Sequence, residues 1–447
     1  MTRLFALARQ RVAVPAPSHP VLLSLEAALT GAARILAGVA AFVAIGLTIG
    51  VNPMVLGFLA ALPFGSRFAQ PIAPGLIERI GLRLTILLAG FVQVLALGVL
   101  AAVLDGPRAK AIAYLLSACT MVAMAQAIYD VAITKSATVS VPSAFAARSL
   151  ALRQRWNGVA GLLAGLAGGA GATPAMLGRF GTMGTWSVII LAGALLIVFA
   201  TLGGVLIATR AQDAAEHVAR TRPPRRSLES LGMPHRSELY VLAILQGLGL
   251  GLIARQQDLF AVLTLHFVPA DLVAFSGLAV GASALLSPYW GRWFESQRGA
   301  LALALAGWAV ALNLGCYLLA IWYGRWWIFL AALFWGAAAF AWGVGVSAWL
   351  LRTSAGAIGV SLYAAYNAAY GSAAVVGSLL GGWLTVQLRL TADLTAFEWL
   401  FAFVIGVRVL GAAYGSLVLA RASRRIRHGP LRLEAPSTED HTSVSAA

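Results

Sequence analysis

The sequence Pro74-Gly-Leu-Ile-Glu-Arg-Ile-Gly-Leu-Arg83 is a short charged loop between two long apolar stretches. A related stretch, Gly291-Arg-Trp-Phe-Glu-Ser-Gln-Arg-Gly299, joins two apolar stretches in the second half of the chain. One constant offset, without a gap, superposes the surroundings of the two loops: Pro71 on Pro288, Glu78 on Glu295, and Ala89-Gly90 on Ala306-Gly307. This pattern predicts that the second half of the chain is a parallel repeat of the first.

Outside these loops the 447 residues are mostly apolar: 60% are hydrophobic, 11% are charged, and the mean hydropathy is +0.84. Soluble domains contain roughly 45–50% apolar and about 25% charged residues. One bilayer crossing takes about 20 apolar residues, so the sequence predicts an all-α membrane protein of about twelve transmembrane helices. Charges and Gly/Pro clusters separate twelve apolar segments, numbered 1 to 12 in this order: 22–48, 52–74, 83–104, 109–133, 150–172, 184–208, 238–262, 272–293, 300–322, 326–351, 358–385 and 396–420.

The polar stretches divide the chain into five parts. Two six-helix bundles, 21–208 and 238–420, are predicted on either side of a cytoplasmic linker at 209–237. A cytoplasmic amphipathic segment, 1–20, precedes them. A basic and then disordered cytoplasmic tail, 421–447, follows them.

The net charge of +16 is spread between the apolar segments rather than gathered on a soluble module, which argues against nucleic-acid binding. With the N-terminus inside, most basic residues fall in cytoplasmic connections, including those from Lys135 to Arg155. This asymmetry follows the positive-inside rule. It predicts a multi-pass protein of the bacterial inner membrane with both termini in the cytoplasm.

The loop from Pro74 to Arg83 resembles the loop signature of the major facilitator superfamily. Four residues match that signature: Glu78, Arg79, Gly81 and Arg83. Pro74 stands in place of the leading glycine and Leu82 in place of a basic residue, while Gly291 and Glu295 form a weaker second copy. The resemblance covers the whole membrane region. It implies two pseudo-symmetric six-helix bundles, with segments 1, 4, 7 and 10 around a central cavity.

The matched loop residues are the predicted cytoplasmic gate: Glu78, Arg79, Gly81, Arg83, Gly291 and Glu295. A carboxylate at the inner end of one half can accept hydrogen bonds from a helix N-terminus or an arginine of the other half. Glu78 is predicted to meet the start of segment 11 at 356–361. Glu295 is predicted to meet the start of segment 5 near Arg148 and Arg153. The alternative is a charge cluster that only fixes the orientation in the membrane.

Ionisable residues inside the apolar segments are candidates for a substrate or proton pathway, because an unpaired charge in hydrocarbon costs several kcal/mol. Segments 1, 4 and 7 contain the candidates, together with one amide: Glu26, Arg34, Gln126, Asp130, Arg255 and Asp258. Asp130, with Glu26 as a second candidate, is predicted to carry a proton. The alternative is structural ion pairs, of Arg34 with Glu26 or Asp130 and of Arg255 with Asp258.

Arg34 and Arg255 lie on segments that the repeat relates to each other. Together they are a candidate clamp for an anionic substrate group, an arrangement that resembles the organophosphate antiporters of the same superfamily. Arg67 and Arg408, on segments 2 and 12, are predicted to snorkel to the interface or to anchor neighbouring helices.

Two aromatic series and two small-residue series recur at helical spacing. The aromatic series are candidates for substrate contacts, with packing and interfacial anchoring as the alternative: Tyr363, Tyr366, Asn367 and Tyr370 on segment 11, and Trp335, Trp342 and Trp349 on segment 10. The small-residue series predict close helix packing: Gly161, Gly165 and Gly169 on segment 5, and Ala374, Ser378 and Gly382 on segment 11.

The sequence contains no nucleotide-binding loop, metal-spaced cluster or nucleophile elbow, so we expect no enzyme activity, no cofactor and no metal. Cys119 and Cys316 are expected to be buried thiols. The predicted function is secondary active transport of a small solute, with an organic anion as one candidate. The transporter would work by alternating access, coupled to protons or a second solute, as a monomer in the bilayer. The rival hypothesis is a membrane assembly factor of the same fold that transports nothing.

Overall fold

The computed structural model describes residues 20–51, 53–139, 146–171, 174–221, 236–295, 299–353, 357–388 and 394–428. These residues form fourteen α-helices and no strand. The helices are α1 (Pro20–Leu36), α2 (Val39–Ile49), α3 (Pro53–Gly65), α4 (Ile72–Ile80), α5 (Leu82–Val103), α6 (Arg108–Val139), α7 (Ala146–Gly171), α8 (Pro174–Thr221), α9 (Arg236–Leu263), α10 (Pro269–Glu295), α11 (Gly299–Tyr323), α12 (Trp326–Thr353), α13 (Ala357–Gln387) and α14 (Leu394–His428).

Every predicted apolar segment coincides with helical structure. Segment 1 corresponds to α1 and α2, segment 2 to α3 and α4, and segments 3 to 12 to α5 to α14 in order. Within the described residues, nine helical stretches are long and apolar enough to cross a membrane. The helices of segments 2, 5 and 11 fall outside that set. The prediction of an all-α membrane protein is confirmed.

Segment 1 bends between α1 and α2, where the sequence predicted one continuous helix. Gly38 has an extended backbone with φ −116° and ψ −164°. A Cβ atom at this position would lie 1.8 Å from the carbonyl oxygen of Arg34, so only glycine fits this close approach of the chain to itself. The bend lies one helical turn after Arg34, beside the residues of the predicted pathway.

Segment 2 is interrupted by a 3-10 turn at Ser66–Ala69. Pro71 has no N–H to donate, and in a regular α-helix its ring would collide with the carbonyl group of Arg67. The tighter turn avoids this collision, and the Gln70 N–H donates to the Arg67 carbonyl at 3.0 Å instead. The turn places Arg67 on the wall of the cavity described below.

The two halves of the chain repeat the same helix packing. In the first half α1 packs against α7 and α8, and α5 packs against α6 and α8. In the second half α9 packs against α13 and α14, and α11 packs against α12 and α14. The halves meet where α7 packs against α10 and where α3 packs against α13. These pairings form the two pseudo-symmetric six-helix bundles that the repeat predicts.

The predicted close packing of small residues is present on both α7 and α13. A Cβ atom on Gly165 would lie 2.6 Å from the Cα atom of Gly277, so α7 and α10 approach each other backbone to backbone. On α13, the Ser378 hydroxyl donates to the Gly251 carbonyl of α9 at 3.2 Å. Cys119 and Cys316 are free and buried, as expected.

Candidate functional site

A cavity of about 670 Å³ lies between the two halves. Both bundles form its walls, and the four segments that the resemblance places around a central cavity all contribute to it. Examples are Arg34 of segment 1, Asp130 of segment 4, Gln257 of segment 7 and Trp335 of segment 10. A cavity of this volume suits a small organic ligand.

Asp130 presents a carboxylate to this cavity and is bonded from two sides. The Nη2 atom of Arg34 donates to its Oδ1 atom, and the Nε2 atom of Gln126 donates to the same oxygen at 3.3 Å. The side chains of Arg34 and Asp130 are 34% and 26% exposed, so the pair is half-buried. Of the two partners considered for Arg34, the structure selects Asp130.

Glu26 lies deeper, with a side chain that is 0% exposed. Its carboxylate accepts hydrogen bonds from the Thr30 hydroxyl at 2.8 Å and from Arg153, whose Nε donates at 3.0 Å and Nη2 at 3.2 Å. The Tyr129 hydroxyl lies 3.0 Å from Glu26 and 3.1 Å from the Ala200 carbonyl. Thr30, Tyr129 and Arg153 thus each bring a group that can donate a hydrogen bond to this carboxylate, as a buried charge requires.

Glu295 was predicted to meet the start of segment 5 near Arg148 and Arg153, and this stays a prediction because the side chain of Glu295 lies outside the described residues. The guanidinium group of Arg153 forms a bidentate ion pair with Glu26 inside its own half. Its Nη2 atom also lies 3.9 Å from the Asp130 carboxylate, which joins the two acids into one network. Two guanidinium groups and two carboxylates balance in charge. Arg34, Asp130 and Arg153 line the cavity, so this network is accessible from it.

Arg67 forms a second part of the cavity wall together with segment 11. Its Nη1 atom donates to the Oδ1 atom of Asn367 at 3.2 Å, and its guanidinium carbon lies 4.6 Å from the ring centre of Tyr370. These contacts join the first half of the chain to the second, as the prediction of an interhelix anchor requires. Tyr363 also lines the cavity.

Three residues of the predicted aromatic series pack elsewhere. Tyr366 is only 4% exposed and lies in an apolar cluster with Trp342, and its place on the pathway stays a prediction. Trp349 packs against the same cluster. Of the tryptophan series, Trp335 lines the cavity. The aromatic residues of both series lie on helices, as predicted. Only some of their side chains line the cavity, because each helix contributes only part of its surface to the cavity wall.

Arg408 does not snorkel to the interface, which corrects that alternative. Its side chain is buried, with 3% exposure, and its guanidinium carbon lies 5.6 Å from the ring centre of Trp335. Among the described residues, the Nε and Nη2 atoms of Arg408 have no hydrogen-bond partner. This cation is buried beside Trp335, which lines the cavity.

No protein-family model and no curated protein sequence matches the chain. Solved structures resemble it over nearly its whole length. A bacterial homologue of the iron transporter ferroportin, in an outward-facing state, gives a TM-score of 0.58 at 14% identity and covers 91% of this chain and 99% of its own. The proton:xylose symporter XylE, bound to 6-bromo-6-deoxy-D-glucose, gives 0.62 at 15% identity, with 89% and 94% covered. A structure of proton-dependent oligopeptide transporters gives 0.64 at 15% identity, with 92% and 99% covered.

The chain has the major facilitator fold. At these identities the likeness concerns the fold alone, while the residues of the cavity are this chain's own.

The loop that suggested the major facilitator fold lies at the junction of α4 and α5. Glu78, Arg79 and Arg83 are exposed, and Gly81 has a φ of 84°, which favours glycine. Among the described residues Glu78 forms no ion pair. Of its predicted partners at 356–361, only Ser361 has a described side chain. The latch therefore stays a prediction.

Several other predicted residues lie at the edge of what the structure describes. Gly291 is buried near the end of α10, whereas the side chain of Glu295 lies outside the described part of the chain. The same holds for the side chains of Arg255 and Asp258, whose backbone belongs to α9. The proposed clamp and its alternative ion pair stay open at these two positions.

Sequence reasoning missed the roles of Arg153 and Tyr129 in the site. Arg153 lies at the inner end of segment 5 and was counted among the cytoplasmic charges. A signal was present, since Asn157 and Gly161 follow Arg153 at intervals of four and share its helix face. That face packs against α1, because a Cβ atom on Gly31 would lie 2.2 Å from the Asn157 carbonyl oxygen. When a helix face that packs closely continues directly to an arginine, that arginine is expected to lie within the bundle rather than in a loop.

Proposed function

We propose that the protein is a secondary transporter that moves a small solute across the bacterial inner membrane by alternating access. The observation that carries the proposal is the cavity between the two bundles, because a site formed by both can face either side of the membrane when they rock. The structures that resemble the chain support it, since their descriptions name an iron transporter, a xylose symporter and oligopeptide transporters.

We propose further that protons drive this transport and that Asp130 carries them. Two of the three neighbouring structures are described as proton-coupled or proton-dependent. Asp130 lines the cavity, whereas the fully buried Glu26 does not. Protonation would remove the charge of Asp130, weaken its bond to Arg34 and leave that guanidinium free for an anionic substrate group. Arg34 is therefore the proposed link between proton and solute, with Arg255 as its proposed counterpart on segment 7.

A flux measurement tests the transport proposal. The purified protein is reconstituted into liposomes that contain a pH-sensitive dye, and candidate solutes of several chemical classes are added outside. We expect at least one class to change the internal pH faster than in protein-free liposomes. No pH change and no counterflow for any class, together with stoichiometric co-purification of a membrane protein complex, would support the assembly factor instead.

The proposed orientation is tested by fused reporters. We expect green fluorescent protein to fluoresce and alkaline phosphatase to stay inactive when either is fused within 209–237 or at the C-terminus, because both regions are basic and cytoplasmic by the positive-inside rule. A fusion within the connection between α5 and α6, at 104–107, is the matched control and should give the opposite pair of signals. Phosphatase activity at 209–237 would contradict the predicted topology.

A further inference from the structure

The described charges on the wall of the cavity do not balance. Arg34, Arg67 and Arg153 are the described arginines on its walls, and Asp130 is the described carboxylate there. Glu26 neutralises Arg153 from behind the wall, and Asp130 neutralises Arg34. Arg67 has no carboxylate within ion-pair distance among the described residues. Among the described wall residues, the positive charge of Arg67 is therefore left uncompensated, and beside the cavity a cation attracts an anion more strongly than it does in water.

The hydrogen bonds around Arg67 leave further capacity for an acceptor. The Arg67 guanidinium donates one bond to Asn367 Oδ1, and its other N–H groups keep the planar donor geometry that fits a carboxylate or a phosphate. The same bond fixes the orientation of the Asn367 amide, because a donor must face the oxygen. The Nδ2 atom of Asn367 is then a donor, and it is buried without a partner among the described residues.

The aromatic neighbour of Arg67 completes the geometry. Tyr370 covers one face of the guanidinium at 4.6 Å, which holds the side chain in place through a cation–π contact. All three residues line the cavity. A guanidinium fixed by an aromatic ring, next to an amide donor with no acceptor, is a donor set prepared for a negatively charged group.

We propose that Arg67, held in place by Tyr370, and Asn367 bind an anionic group, a carboxylate or a phosphate, of the solute. This inference rests on the proposed transport function and adds the chemical class of the substrate. Arg67 belongs to the first half of the chain, and Asn367 and Tyr370 belong to the second. An anion bound to both Arg67 and Asn367 holds the two bundles together on this side of the cavity, so its arrival and departure change how firmly the bundles are joined.

The test measures anion binding by thermal stability, independently of transport. The detergent-purified protein is heated in chloride, in inorganic phosphate and in succinate at equal ionic strength and pH, and its melting temperature is followed by tryptophan fluorescence. We expect phosphate, succinate or both to raise the melting temperature above that in chloride, and the stronger of the two identifies the anion type. Equal melting temperatures in all three salts would overturn the inference.

Variants locate the binding. Arg67→Gln and Asn367→Leu should each weaken the apparent affinity for the anion by about tenfold or more, the usual effect of losing a charge-assisted or buried hydrogen bond. Arg67→Lys, which keeps the charge and loses the fork, should weaken it less. Arg325→Gln is the matched control, because Arg325 also lies over an aromatic ring, that of Trp326 at 5.7 Å, but is exposed away from the cavity.

Two outcomes separate this inference from the transport proposal. An anion effect of equal size in Arg67→Gln and wild type overturns the assigned site, even if flux of that anion is found. If Arg67→Gln does not fold, Asn367→Leu alone decides the matter, since it leaves the guanidinium in place. Flux of a neutral or cationic solute, with no anion effect on stability, leaves the transporter standing and rejects the anion site. Anion binding that depends on Arg67, without flux, supports the site and rejects transport.

Discussion

Arg153→Met is expected to cause the largest loss of stability of any single change in the ion-pair network. Glu26 is fully buried, and Arg153 is the cation that its carboxylate meets, through two hydrogen bonds. Removing one partner of a buried pair leaves an uncompensated charge and costs about 3–5 kcal/mol. We expect a large fall in the yield of monodisperse protein and in its melting temperature, measured by size-exclusion chromatography and thermal unfolding in detergent.

A control variant and a double variant test whether the loss of stability comes from the unpaired buried charge. Arg155→Met removes an exposed arginine two residues along the same helix and should change stability little. Glu26→Gln should cost less than Arg153→Met, because Arg153 keeps a second carboxylate, Asp130, at 3.9 Å. The double variant Glu26→Gln/Arg153→Met should recover much of the loss, since no unpaired charge remains. Equal stability of Arg153→Met and Arg155→Met would show that the pair contributes nothing.

The fold was predictable from the sequence because transmembrane helices are encoded locally. A run of about 20 apolar residues between charged connections is sufficient to predict a crossing, and the offset of the two charged loops is sufficient to predict a repeat. Interruptions inside a crossing were not predicted. The bend at Gly38 depends on a close approach of the backbone that composition does not reveal, whereas the 3-10 turn follows from Pro71, which lies inside predicted segment 2.

The candidate site was predictable in its residues and less so in its partners. Arg34 and Asp130 were found because charges within apolar segments are rare. Which acid pairs with which arginine depends on helix tilt and depth across bundles, and Arg34 and Asp130 are separated by 96 residues. Arg153 was missed because a topological charge and a buried one look alike at the end of a segment.

Asp130→Asn is expected to abolish proton-driven accumulation of the solute while leaving exchange of solute across the membrane intact. The amide of asparagine cannot take up and release a proton near neutral pH, so a pH gradient can no longer drive accumulation of the solute. That energy is about 1.4 kcal/mol for each pH unit and each proton, which corresponds to about a tenfold solute gradient. The measurement compares uptake under an imposed pH gradient with counterflow in its absence, in the same liposomes.

Two matched variants decide which group carries the proton. Gln126→Leu removes the neutral hydrogen bond to the same Asp130 oxygen at 3.3 Å and should preserve accumulation, because the carboxylate and its bond to Arg34 remain. Glu26→Gln tests the second candidate: retained accumulation there, with loss in Asp130→Asn, assigns the proton to the acid that lines the cavity. The reverse pattern would move the proton to the buried carboxylate and reduce Asp130 to a partner that only holds Arg34 in place. Accumulation that persists in both variants would mean that the solute is driven by another gradient, and the role of this network would then be to hold segments 1, 4 and 5 together.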